Sequence, residues 1–206
     1  TDVVISRNTT TNCHDSINLG GGEASYWYIA DNSFDGDTDP LGGSFSGEGV
    51  DMRHTIGHTI AHNEITQVAD GLSYPLYNVD MFGNNIHDGS DDCIEFDYGY
   101  SNVRAWRNRC QRVGQNNGLS WQPQNMGPHY LIRNQVIITT SEGPLKLKPG
   151  ETDRVVAFHN TIVNFHATNF QNNEAEMLDF TSRNNLYIAG GTTGDQIWNH
   201  GAATAT

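Results

Sequence analysis

"VRAWRNRC", residues 103–110, sets apolar side chains at Val103 and Ala105, an asparagine at Asn108 and Cys110 two positions later. The pattern apolar, x, apolar, x, x, Asn, x, apolar recurs along the chain. It reads "VISRNTT" around Asn8, "WYIADNSF" around Asn32, "HTIAHNEI" around Asn63 and "VDMFGNNI" around Asn84. It continues as "YLIRNQV" around Asn134, "VVAFHNTI" around Asn160 and "FTSRNNL" around Asn184. The spacings are 24, 31, 21, 24, 26, 26 and 24 residues, so eight units cover nearly all of the 206-residue chain. Within a unit the apolar positions alternate with period two, as in Val3/Ile5, Val79/Met81 and Val155/Ala157, which is the mark of a strand. About ten residues after each Asn a second strand follows: "INL", "VDM", "LSY", "IEF", "LSW", "LKL". No segment between has a helical period. Short strands repeating every 25 residues or so predict one all-β domain over residues 1–206, a single-stranded right-handed parallel β-helix of about eight coils. The repeated Asn then occupies one turn in every coil, and its amide bonds up the stack as a ladder.

Composition agrees with an elongated, turn-rich chain. There are 22 Gly and 22 Asn residues, hydrophobic content is 36% and mean hydropathy is −0.56. The net charge of −13, with 11 Lys and Arg together, argues against nucleic acid or an anionic membrane as partner. No apolar run approaches a membrane span. Three cysteines (Cys13, Cys93, Cys110) allow at most one internal disulfide. Cys110 falls at an inward position and Cys93 on the outward side of a turn; the two can pair, but nothing forces them to.

"NVRAWRNRC", "NGLSWQPQNMGPHYLIRN" and "LKLKPGETDRVVAFHNTIV" resemble the recurring phrases of bacterial secreted right-handed parallel β-helix repeat proteins, the pectate-lyase-like superfamily. The resemblance covers coils 4 to 7 and specifies fold rather than substrate. It implies an extracellular or cell-surface protein acting on polysaccharide.

Aligning the second strands on their inward pairs (Ile17/Leu19, Val50/Met52, Leu72/Tyr74, Ile94/Phe96, Leu119/Trp121, Leu145/Leu147) defines two columns pointing away from the core. One reads Asn18, Asp51, Ser73, Glu95, Ser120, Lys146; the other reads Gly20, Arg53, Pro75, Asp97, Gln122, Lys148. Equivalent residues of neighbouring coils lie about 4.8 Å apart. Both lysines of the chain therefore share a face with Glu95 and Asp97, roughly 10 Å away. Ser73 and Ser120 leave room for a ligand on that face, and Gln122 adds an amide. A third column, Arg7, Asp31, His62, Gly83, Arg107, Arg133, His159 and Arg183, precedes each ladder Asn and reads as structural, pairing with turn carboxylates. In "HDGSDDCIEFDYGY" (residues 87–100), Asp88, Asp91 and Asp92 read as turn residues, while Glu95 and Asp97 belong to the strand.

Two other patterns suggest metals. Asp35, Asp37 and Asp39 alternate as in calcium loops but lack the glycine and terminal glutamate of the helix-loop-helix pattern. His54, His58 and His62 have the spacing of a helical zinc face, which a strand and turn would not bring together.

The leading expectation is a lyase that cleaves an acidic polysaccharide by β-elimination. Lys146 or Lys148 would be the base, Arg53 with Ser73, Ser120 and Gln122 would hold substrate, and Asp51, Glu95 and Asp97 would hold Ca²⁺. The alternative is an inverting hydrolase using Glu95 and Asp97, about 7 Å apart along one strand. The third is a non-catalytic glycan-binding or structural β-helix, with further domains or end-to-end association at its uncapped ends.

Overall fold

The computed structural model describes residues 2–21, 24–42, 46–53, 55–113, 118–122, 127–138, 143–147, 154–165, 171–173 and 179–190. Among them are 23 strands and no helix, so no helix is long and apolar enough to cross a membrane. All strand pairs are parallel, and the chain winds through three sheets as a β-helix of the expected right-handed type. Sheet A has eight strands, from Val3–Ser6 through Val103–Trp106 and His129–Ile132 to Phe180–Arg183. Sheet B also has eight, from Thr9–Cys13 through Arg109–Val113 to Leu186–Ala189. Sheet C has seven, among them Glu48–Asp51, Asp70–Ser73, Ile94–Glu95, Leu119–Trp121 and Leu145–Leu147.

Sheet B is the element that the two-strand reading of each coil omits. Its strand starts immediately after the ladder Asn and buries one residue of the motif, the apolar position two places later: Phe34, Ile65, Ile86, Cys110, Val136 and Ile162. These meet Ile29, Ile60, Met81 and Leu131 of sheet A and Val50, Leu72, Ile94, Leu119 and Leu145 of sheet C in one continuous core. Burying one such side chain is worth about 1.5–3 kcal/mol. Phe96 and Trp121 continue the core as a stack, 4.8 Å between centroids and 4° between planes. The Trp121 indole donates to His129 Nδ1 at 3.0 Å, which satisfies its only polar atom.

The ladder forms as expected. In each coil Oδ1 of one Asn accepts from both the backbone N–H and the side-chain amide of the preceding Asn; for Asn63 on Asn84 both distances are 3.0 Å. The same amide donates to a sheet A carbonyl two coils from that acceptor, Asn63 to Ile29 O at 3.0 Å. At the last rung the member is Asn185, not Asn184: Asn160 donates to Asn185 Oδ1 at 2.8 and 2.9 Å. Asn184 instead joins Arg7, Asp31, His62, Gly83, Arg107, Arg133 and His159 in the column before the ladder, displacing Arg183. All eight have positive φ, so this column's structural role is a left-handed backbone corner rather than the expected pairing with turn carboxylates.

At the corner between sheets B and C, Gly49, Gly71 and Gly118 sit one place before the inward residue. A Cβ on Gly71 would lie 2.5 Å from Cys93 O and from Ile86 Cγ2, so only glycine lets sheet B side chains reach this backbone. Cys93 takes the same place in its own coil. It is therefore buried, not on the outward side of the turn, and it bonds Cys110 across a separation of 17 residues. Cys13 remains a free thiol.

Candidate functional site

The strand pairing in sheet C reproduces the first of the two columns; the residues of the second lie beyond the paired strands. Asn18, Asp51, Ser73, Glu95, Ser120 and Lys146 are register partners in succession. Their environment differs from a solvated face. Ser73 and Ser120 are 0% exposed, Asp97 1%, Asp51 4%, Glu95 5% and Lys146 8%. Arg53 and Gln122 are half-buried, and Lys148 lies outside the described residues. The column points away from the apolar core and is nonetheless covered. Tyr74, expected inward, also has positive φ and turns out of the core; the Arg53 guanidinium lies 4.0 Å over its ring, and the Tyr98 ring lies 5.8 Å away.

Burial of so many charges is possible only if they pair or take up protons. Glu95 and Asp97 hydrogen-bond to each other through their side chains. This contact is closer than the roughly 6.5–9.5 Å an inverting pair needs, so the expected water-sized gap between them is absent. Burial first, then the charges of Asp70 and Asp97, push Glu95 up to about 11. Burial also raises Asp97, but only to about 6, because the hydrogen bond from Glu95, the charge of Lys146 and the Gln122 N–H hold it down. That N–H donates to Asp97 Oδ1 at 2.8 Å, and the Ser120 hydroxyl approaches the same oxygen at 3.3 Å. Glu95 Oε2 and Ser73 Oγ, register neighbours, are buried with no hydrogen-bond partner among the described residues.

Lys146 does not serve the role expected of it. Its ammonium donates to Asp92 Oδ2 at 2.8 Å, and side-chain exposures of 10% and 1% make this a buried ion pair. Burial alone would lower its pKa, but Asp92, Asp91 and Asp97 together raise it above the ordinary lysine value, so it is a fixed cation and not a base.

Asp92 belongs to a column outside the two foreseen. Asp15, Glu48, Asp70 and Asp92 each stand two places before the inward residue of their coil. Glu48 N–H donates to Asp15 Oδ1 at 3.0 Å and Asp92 N–H to Asp70 Oδ1 at 2.8 Å. Burial, then Asp15, raise Glu48 to about 7. Burial, then Asp92 and Asp91, hold Asp70 well above the usual carboxylate range. Carrying the column alignment two residues toward the N terminus of each strand would have shown this acidic file in the sequence.

The metal expectation changes with it. Among the described residues the carboxylates whose ligand atoms gather within 4.8 Å of one another are Asp70, Asp91 and Asp92, rather than Asp51, Glu95 and Asp97. Asp51 is instead tied to the Arg53 N–H at 2.8 Å. The other two metal patterns disperse. Asp37 faces His14 at 3.6 Å, and Asp39 accepts from Leu41 N–H at 2.9 Å within its own turn. His58 is buried and accepts from Trp27 N–H, His62 packs edge-on against Phe82, and His54 lies outside the described residues. Compared with protein-family models, curated proteins and solved structures, the chain finds no match.

Proposed function

We propose that the chain is a carbohydrate-active β-helix that cleaves an acidic glycan by β-elimination, with its acid at the end of a sheet C strand and its base in the turn that follows. The observation that carries this reading is the hydrogen-bonded pair Glu95–Asp97, whose surroundings drive the two proton affinities apart, to about 11 and about 6. Burial raises both carboxyls, Glu95 the more, so at neutral pH the pair shares a proton and offers one hydrogen-bond donor beside one carboxylate. Asp97 removes the proton α to the uronate carboxylate; the electron pair forms the ring double bond as the C–O bond to the leaving sugar breaks. Glu95 returns a proton to the leaving oxygen. Acid and base lie side by side, so both transfers take place on one face of the sugar. Arg53, the half-buried cation beside Asp51 and Tyr74, pairs with the uronate carboxylate, and the fixed charge of Lys146 favours ionised Asp97.

A divalent cation such as Ca²⁺ would be held by Asp70, Asp91 and Asp92, an all-oxygen set suited to a hard ion, and would neutralise charge there. In this reading the protein is extracellular, a setting that tolerates the Cys93–Cys110 disulfide.

The test is a panel of uronate-containing and neutral polysaccharides, scored by ultraviolet absorbance of unsaturated ends. Asp97→Asn and Glu95→Gln should each lower turnover by about a hundredfold or more. Full activity in both variants would refute the assignment. A second reading, a glycan-binding or structural β-helix without cleavage, is favoured by the burial of Ser73, Ser120 and Glu95, which closes this column to a polymer and leaves binding to other faces. Binding with no new ends on any polymer would establish it.

A further inference from the structure

The arginines are distributed as unevenly as the acids. Residues 103–113, 129–138 and 154–165 contain the strands of sheets A and B in coils 5, 6 and 7. These segments hold Arg104, Arg107, Arg109, Arg112, Arg133 and Arg154, six of the nine arginines, and no Asp or Glu. The corresponding strands of coils 2 to 4, with the residues between and directly after them, carry Asp31, Asp35, Asp37, Glu64, Asp80 and Asp88. A chain of net charge −13 thus has one cationic pole.

The fold turns this pole into a surface. Arg107 and Arg133 occupy the left-handed corner between sheets A and B, and Arg109 follows the corner in sheet B. All three are exposed and form no ion pair among the described residues. Beside them the outer face of sheet A carries Phe82, Trp106, Ile132 and Phe158 in register, one per coil. Phe82 and Trp106 stack at 4.5 Å. A hollow of about 340 Å³ opens next to Trp106, lined also by Asn102, Arg104, Tyr130 and Ile132.

We infer that this corner is a binding site for an anionic glycan chain running along the stack, separate from the carboxyl pair on sheet C. Aromatic faces suit the apolar faces of sugar rings, Asn102 and Tyr130 offer hydrogen bonds, and the unpaired guanidinium groups match carboxylate or sulfate groups. Successive coils present these groups at steps of about 4.8 Å, so an extended polymer meets them repeatedly. The inference shares the ligand class of the proposed function but not its chemistry, and it stands whether or not sheet C cleaves.

The experiment is affinity electrophoresis and heparin-resin elution of the full chain, with polygalacturonate as a second anionic glycan and dextran as the neutral control. The perturbation is Arg107→Asp combined with Arg133→Asp. Aspartate fits this left-handed position, since Asp31 occupies it in coil 2. The double variant should bind either anionic glycan about tenfold or more weakly, with a shallower salt dependence. Trp106→Ala should weaken binding at all salt concentrations. Retained affinity in the double variant, equal loss on Arg7→Asp at the far end of the column, equal affinity for dextran, or tighter binding to duplex DNA would each overturn the inference.

Discussion

Replacing Glu95 by glutamine tests the electrostatics of sheet C through stability alone. In the folded protein Glu95 keeps its proton up to about pH 11, whereas an unhindered glutamate loses it near 4.5. Between those limits the folded state holds a proton that the unfolded chain lacks, so each pH unit of rise costs the fold up to about 1.4 kcal/mol. The stabilisation is fully present below 4.5 and is lost as pH climbs toward 11. Glutamine has the shape of the neutral acid and no proton to release. Native protein and Glu95→Gln should therefore be of similar stability near pH 5, and the variant should become the more stable by about 2–4 kcal/mol near pH 8. Other titrations, such as those of His58 and His129, both held near 4 by burial, run in parallel in the two proteins and cancel in the difference. The assay is urea unfolding of both proteins across this range. A difference that stays constant with pH, or that grows in favour of the native protein, would mean Glu95 is ionised in the fold and the acid assignment is wrong.

Asn108→Ala removes the acceptor for Asn84 and the donor to Met81 O and Asn134 Oδ1 in the middle of the ladder, and should cost about 3–5 kcal/mol in the same assay. Asn8→Ala at the exposed end should cost about 1 kcal/mol, and equal losses would contradict the ladder's role. Lys146→Met strands the Asp92 carboxylate and should cost about 3 kcal/mol, most of it recovered in Lys146→Met/Asp92→Asn; no recovery would mean that the ion pair is not what holds the lysine. Removing the disulfide as Cys93→Ala/Cys110→Ala should cost about 3 kcal/mol, with the native protein falling to match on reduction.

The columns of sheet C were legible because a repeat with a ladder Asn fixes which residues share a face. Asp51, Ser73, Glu95, Ser120 and Lys146 stack as the alignment places them. The sequence carries no comparable signal for depth. Pointing away from the core does not mean exposure: this face is buried, and burial depends on packing that no period records. The column alignment directs Lys146 toward Glu95, whereas its long side chain reaches back to Asp92 at the corner. Asn184 and Asn185 are adjacent, and only the left-handed φ of the first decides which of them joins the ladder. The inward place of Cys93 has no sequence signal, because the corner it occupies admits no side chain in the coils that carry Gly49, Gly71 and Gly118.

The most direct measurement of the central claim follows the products made from uronate polymers by the native protein, counting unsaturated ends and reducing ends together. Elimination by Glu95 and Asp97 predicts one unsaturated end for every new reducing end, with both lost in Asp97→Asn. Reducing ends without unsaturation, or unsaturated ends that persist in Asp97→Asn, would contradict it.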